Sequence, residues 1–159
     1  MDDILPDLFD EYPDTLQLIA GAFAVFGGLD NFQGQVVTVR CYEDNSRVKE
    51  LLAQEGAGKV LVVDGGASLR RALMGDLIAA SAVENNWAGV VINGAIRDVA
   101  AISTMPLGVR ALGACPIKTE RKGLGEVNVT LAINGVIIEP GTYLYADLNG
   151  IAISEEKLI

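Results

Sequence analysis

At 159 residues, half of them hydrophobic, the chain has the size of one folded domain with a substantial core. Twelve basic against twenty-one acidic residues give a formal charge of −9, which sets counterion release against direct contact with RNA or DNA. The chain has no histidine, so the commonest general base and the usual zinc ligand are both missing, and any metal must rest on oxygen ligands of the kind that suit Mg²⁺, Mn²⁺ or Ca²⁺.

Residues 3–12 and 15–24 read as two helical stretches broken by Pro13, ahead of a flexible Gly27-Gly28, and should form an N-terminal helical cap. The β-branched run 35–41 reads as a strand, and Asp44-Asn45-Ser46 offers capping side chains for a helix through about Gln54. Residues 59–63, Lys-Val-Leu-Val-Val, form the short continuous apolar run expected of a strand buried on both faces, ended by Asp64-Gly65-Gly66. A helix is expected over 76–86, then a second buried strand over 89–92 ended by Asn93-Gly94. Two such strands flanking one helix make a βαβ unit, so they should lie parallel. Residues 127–133 and 136–138 flank Asn134-Gly135, the strongest hairpin signal in the chain, and 150–153 reads as a further strand. The sum is one α/β domain over residues 1–159, layered, with a mixed sheet whose C-terminal third is antiparallel.

The N-terminus lacks a leader pattern and no apolar run approaches the roughly 20 residues that span a bilayer, so a cytoplasmic, membrane-free protein is expected. Cys41 and Cys115 lie far apart and should be reduced, semi-buried thiols. An apolar fraction of one half leaves room for a buried subunit interface, so a homo-oligomer is expected.

Ligands bind beyond the carboxyl ends of strands in open parallel sheets, and there the βαβ unit gathers Asp64-Gly65-Gly66, Gly75-Asp76-Leu77-Ile78, Asn93-Gly94 and Arg97-Asp98. The unpaired amides of Leu77 and Ile78 at the helix start suit a substrate carboxylate, and Gly75 lets it approach. Arg97 can fork onto the same anion or onto developing oxyanion charge, and Asp98 supplies a hard metal ligand. Taken singly, Asp76 is a helix cap, Arg97-Asp98 a solvated pair and Gly65-Gly66 a turn; convergence at one edge argues for a site. The glycines after residue 64 match neither a dinucleotide fingerprint nor a P-loop, so a nucleotide or S-adenosylmethionine site is disfavoured, and Arg70-Arg71 reads as surface or interface.

The run Val-Leu-Val-Val-Asp-Gly-Gly-Ala-Ser-Leu-Arg-Arg-Ala-Leu at 60–73, with Gly-Asp-Leu at 75–77, resembles the RraA-like family of ribonuclease regulators and 4-hydroxy-4-methyl-2-oxoglutarate aldolases. The resemblance runs from Asp7-Leu8-Phe9-Asp10 through Phe26-Gly27-Gly28 to residues 144–151. Asp76, twenty intervening residues and Arg97-Asp98 match the aldolases' metal motif, and Pro106 falls where that pattern continues. The resemblance implies a β/β/α swivelling-type fold, a ring-shaped homotrimer with sites at subunit boundaries, and pyruvate-enolate chemistry. It implies that a divalent metal, Mg²⁺ or Mn²⁺, sits on Asp98, that Arg97 stabilises the enolate, and that the amides from Gly75 to Ile78 hold the carboxylate of a small 2-oxo acid. A water activated by the metal is then the natural proton carrier, oriented by Asp76, and oxaloacetate decarboxylation follows from the same enolate. This chain stops at Ile159, short of the extension with which longer family members lend a carboxylate across the boundary; Glu43, Asp44 and Glu126 are the candidate substitutes. The alternative is a non-catalytic regulator that binds and inhibits an endoribonuclease of the RNase E type, with an acidic surface suited to basic segments of that enzyme.

Overall fold

A computed structural model describes residues 3–159. Its centre is four neighbouring strands, β3 (Phe32–Arg40), β4 (Lys59–Asp64), β5 (Gly89–Ile96) and β6 (Gly108–Ala114), all parallel. Ahead of them come helix α1 (Leu5–Glu11) and two short strands, β1 (Gln17–Leu18) and β2 (Ala24–Val25). After them come β7 (Glu126–Val127), β8 (Leu131–Ile133), β9 (Val136–Ile138), β10 (Tyr143–Asp147) and β11 (Gly150–Ser154). The main sheet runs β1-β11-β10-β3-β4-β5-β6-β2, with β7 also paired to β3; β8 and β9 form a separate hairpin. Among the described residues the remaining pairings between named strands are antiparallel. The expected mixed α/β sheet, with its antiparallel C-terminal third, is the observed one.

Alternation along the strands builds two cores. On β4, Leu61 and Val63 face the helices α2 (Ser46–Leu52) and α3 (Asp76–Glu84), joining Val48, Leu52, Ile78, Ala79 and Ala82. Val60 and Val62 face the other way, onto Leu131, Ile133, Val136 and Ile138 of the hairpin. A strand that buries both faces has no need of polar alternation, which is why its sequence is a continuous apolar run. Hairpin, main sheet and helices are thus three layers in β/β/α order. The hairpin turn is Asn134-Gly135 with φ of 51° and 81°, the left-handed pair that a two-residue turn requires.

Several local expectations fail for physical reasons. Only one N-terminal helix forms; residues 15–24, expected to be helical, instead carry β1 and β2, paired to β11 and β6 at opposite ends of the sheet. Pairing with two open strand edges there, and burial of Leu16 and Ile19, outweigh local helix propensity. α1 caps the sheet through Leu5 and Leu8 against Tyr145 and Ala152, and the Asp147 carboxylate accepts the Ile4 and Leu5 amides, each at 2.8 Å. β5 does not end at Asn93-Gly94 but runs on to Ile96, with a break in register between Ile92 and Ala95. Residues 127–133 form no single strand but split between β7 and β8. Both cysteines are free and more buried than expected, at 4% and 7% exposure; burial, then the charges of Asp44 and Asp64, push the Cys41 thiol up to about 12.

Candidate active site at the carboxyl edge

The parallel strands β4 and β5 deliver their following loops to one edge, and α3 starts beside them. Gly75 is the N-cap of α3 and Asp76 its first residue; no side chain of the helix's own cap position closes its end. The closing oxygen comes from across the sheet: Asp98 Oδ2 accepts the Asp76 amide at 3.0 Å. Asp98 itself sits in the left-handed region, φ 57° and ψ 41°, at the N-cap of α4 (Val99–Ile102), a conformation uncommon for a non-glycine residue and concentrated at functional sites. The Asp76 amide first, then contact with the Asp76 side chain and the Arg97 charge, hold Asp98 below the usual carboxylate range against partial burial. Arg97 is anchored through its amide to Met74 O at 3.0 Å, and its Nε stands 3.9 Å from Asp98 Oδ2.

Gly75, Asp76, Leu77, Ile78, Arg97 and Asp98 all line one cleft of about 310 Å³. The amides of Leu77 and Ile78 lie in the first helical turn, where no intrahelical acceptor exists. The other wall is one the sequence reading missed: Asn45, Ala72, and Lys118 to Arg121 in the loop after β6. In sequence Asn45 reads as a helix-capping side chain and Lys118 to Arg121 carry no motif; the pairing of β6 with β5, which brings the loop back to the cleft, has no local signature.

Of the three candidate supporting acids, none lines this cleft. Glu43 accepts Ser68 Oγ at 2.9 Å and Arg70 Nε at 3.0 Å, and Glu126 pairs with Arg40 at 3.2 Å. Asp44 is buried and accepts the amides of Ser46, Lys122 and Leu124 at 2.9, 2.8 and 3.3 Å, so its work is to pin the 119–124 loop. Glu120 is the additional carboxylate that faces the cleft. The Gly65-Gly66 turn offers no amide cradle: Gly65 and Ala67 donate to Asn93 O, and Gly66 donates to Asp64 Oδ1 at 3.0 Å. Arg70 reaches Tyr42 and Glu43, and Arg71 holds Lys118 O at 3.0 Å, so both serve the surface and the loop.

Among the described residues no three Cys, Asp or Glu side chains converge as a metal cage. That donor set still fits Mg²⁺ or Mn²⁺, which keep several waters and bind through one or two carboxylates plus substrate oxygens. A hard carboxylate held ionised at Asp98 meets that need, and the lack of nitrogen and sulfur donors excludes the softer alternatives.

The family model described as RraA-like, Aldolase/RraA, matches residues 4–153. The chain belongs to the RraA-like family. A Shewanella oneidensis relative named as a candidate 4-hydroxy-4-methyl-2-oxoglutarate aldolase is 60% identical over 156 residues, covering 98% of this chain and 95% of the relative. A Vibrio cholerae relative of the same name is 54% identical, covering 99% and 98%. Two solved structures superpose with TM-scores of 0.96 at 44% identity. The RNA-processing inhibitor RraA from Thermus thermophilis covers 100% of this chain and 96% of its own. A protein titled S-adenosylmethionine: 2-dimethylmenaquinone methyltransferase from Geobacillus kaustophilus covers 98% and 97%. The RraA-like scaffold therefore carries an aldolase name, a regulator name and a methyltransferase name, and the site must decide between them. No helix among the described residues is long and apolar enough to cross a membrane.

Proposed function

We propose that this chain is a divalent-metal-dependent carbon–carbon lyase that cleaves 4-hydroxy-4-methyl-2-oxoglutarate to two pyruvates and decarboxylates oxaloacetate through the same pyruvate enolate. The observation that carries the reading is the meeting of Asp76, Arg97, Asp98 and the open first-turn amides of α3 in one cleft. Relatives at 50–60% identity that bear the aldolase name support it.

In this reading the Leu77 and Ile78 amides take the substrate's C1 carboxylate, where the helix dipole favours negative charge. Asp98 would hold the metal, with Asp76 beside it, and the bound ion supplies Lewis-acid polarisation of the 2-oxo and carboxylate oxygens. Arg97 stands over the C2 oxygen and stabilises the charge that develops there as the C3–C4 bond breaks. The electron pair of that bond becomes the enolate; the other fragment leaves as pyruvate in the aldol cleavage, or as CO₂ from oxaloacetate. In the aldol case the C4 hydroxyl must lose its proton, and Asp76, with no histidine available, accepts it through a water. A proton returned to C3 completes pyruvate. The methyltransferase name finds no support in the Gly65-Gly66 turn, whose amides are already engaged.

The same reading includes a cytoplasmic homotrimer with the cleft at a subunit boundary. Large apolar side chains stand exposed around the carboxyl edge, Tyr42, Leu69 and Ile117 on loops and Leu77 and Val99 in the first turns of α3 and α4, with Leu77 at 81% exposure. A second copy covering them would remove apolar surface from water and close the cleft. Light scattering after size exclusion tests it: a 16.8 kDa species would remove the boundary site.

The Thermus relative's name and the formal charge of −9 favour a second role, inhibition of an endoribonuclease through its basic segments. Salt-sensitive co-sedimentation with that enzyme is the expected result, and no association at low salt removes this role. The lyase is tested by pyruvate release from both substrates, with EDTA and then Mg²⁺ or Mn²⁺ restored. Turnover should vanish with EDTA, return with metal, and fall at least about 100-fold in Arg97→Ala. Inactivity of the metal-loaded protein on both substrates rejects the lyase.

A further inference from the structure

Arg121 is an exposed cation fixed from behind by a buried amide. Asn45 is 6% exposed, and its Oδ1 accepts both Arg121 Nε at 3.0 Å and Thr119 Oγ1 at 2.8 Å. The Asn45 amide in turn donates to Thr119 Oγ1 at 3.3 Å, and Thr119 is itself buried. The start of the same loop is tied down independently: Ala72 donates to Ile117 O at 2.7 Å and Arg71 Nη1 to Lys118 O at 3.0 Å. Asp44 pins its far end through the Lys122 and Leu124 amides. A surface segment tied down at 117–118, at 119–121 and at 122–124 is a rigid wall, and Arg121 is presented from it into the cleft.

Anchoring through Nε leaves the two terminal nitrogens of the guanidinium as a planar fork, the geometry that matches a carboxylate. Holding the side chain in advance lowers the ordering cost of a contact with a ligand.

The charge balance of the cleft points the same way. Its charged lining is Asp76, Asp98 and Glu120 against Arg97, Lys118 and Arg121, so the walls are formally neutral. A divalent ion brings two positive charges. A 2-oxo dicarboxylate matches them, whereas a 2-oxo monocarboxylate leaves one unmatched. Asp76, Asp98 and Arg97 gather at the starts of α3 and α4, while the facing wall, Lys118, Glu120 and Arg121, carries a net positive charge.

We propose that Arg121, held by Asn45, takes the distal carboxylate of a 2-oxo dicarboxylate and sets the preference of this cleft for dianionic over monoanionic 2-oxo acids. Asn45 is a positioning residue that acts through Arg121. The inference rests on the lyase reading for which end of the ligand lies at Arg97 and Asp98, but its test reads binding rather than turnover.

The probe pair is 2-oxoglutarate and 2-oxopentanoate, which differ only by a carboxylate or a methyl group at C5, titrated calorimetrically into the Mg²⁺-loaded protein. Wild type should bind 2-oxoglutarate at least about 10-fold more tightly. Arg121→Gln should bring the two acids within about 2-fold while leaving 2-oxopentanoate affinity unchanged, since only the distal contact is removed. Arg121→Lys should restore part of the preference, because it keeps the charge and loses the fork. Asn45→Ala should fall between wild type and Arg121→Gln, with its folding checked by thermal melting. Equal affinity of wild type for both acids, a preference untouched by Arg121→Gln, or no binding of either acid overturns the proposal. Discrimination without pyruvate release from either lyase substrate leaves Arg121 in place and rejects the lyase instead.

Discussion

A Cβ placed on Gly75 would lie 2.7 Å from Asp98 Oδ2 and 3.3 Å from Arg97 Nε. The backbone of Gly75 is extended, φ −118° and ψ −166°, so alanine is allowed there by its own conformation. What resists it is the tip of Asp98, a side chain that can move, and moving it breaks the bond to the Asp76 amide and shifts the proposed metal ligand. Gly75→Ala should therefore fold with a stability loss of about 1 kcal/mol and lose at least about 10-fold in lyase turnover. Gly27→Ala is the contrast: its Cβ would fall 2.0 Å from the Leu107 carbonyl oxygen, which is backbone, so this variant should be destabilised severely. Thermal melts beside pyruvate release separate the two, and equal losses of stability would sink the assignment.

Asp98→Asn asks whether charge or shape matters at this position. The amide oxygen can still accept the Asp76 N–H, so α3 keeps its closure and the melting temperature should move by only a few degrees. The hard anionic ligand is gone, so Mg²⁺ titrations should no longer restore turnover after EDTA treatment. Metal-restored turnover at the wild-type level in this variant would remove Asp98 from the site.

The parts of this molecule that announce themselves in sequence are those whose chemistry is local. The doubly buried run of β4, the apolar spacing of α3, and Asn134-Gly135 each satisfy a rule that needs only neighbours along the chain. The Asp76 and Arg97-Asp98 cluster was legible because one βαβ unit delivers both ends to the same edge. β6 was not: it carries Arg110, a charge inside a strand, and opens on Gly108, whose missing side chain leaves room for the Phe32 ring of β3. β10 was missed although Tyr143-Leu144-Tyr145 has the aromatic character of a strand. The Asn45 to Arg121 wall depends on contacts across 76 residues, and no window along the chain contains both.

Arg110 is 2% exposed, and its guanidinium carbon lies 5.1 Å from the centre of the Phe32 ring. It donates to the carbonyl oxygens of Val109, Asp147 and Asp30, so it ties three backbone segments together beneath the sheet. Val109 and Ala111 beside it point into the helix-side core, so Arg110 lies on the far face from α3. Arg110→Met keeps much of the packing but leaves those carbonyls without their donors, and should cost about 3 kcal/mol. Urea unfolding should show a lower midpoint with the slope retained, and turnover per folded molecule should be unchanged. Loss of turnover without loss of stability would mean that Arg110 serves the chemistry.

Acid should act first on the loop that walls the cleft. Burial pushes the Asp44 carboxyl up, but hydrogen bonds from Ser46 Oγ and from the amides of Ser46, Lys122 and Leu124 outweigh it and bring the group down from 3.8 to about 2. A carboxyl whose pKa is lower in the folded state stabilises the fold above the unfolded value, and that stability is lost as pH falls through the folded one. The contribution of about 2 kcal/mol should therefore be complete above about pH 5 and drain away between about pH 4 and pH 2. Asp44→Asn removes the ionised acceptor at all pH values, so its urea stability should be lower than wild type at pH 7 and converge on it near pH 2. Its 119–124 amides should also exchange faster at neutral pH, since Lys122 and Leu124 lose their anchor. A wild-type and variant difference that stays constant from pH 7 to pH 2 would show that the carboxylate's charge contributes nothing to holding this wall.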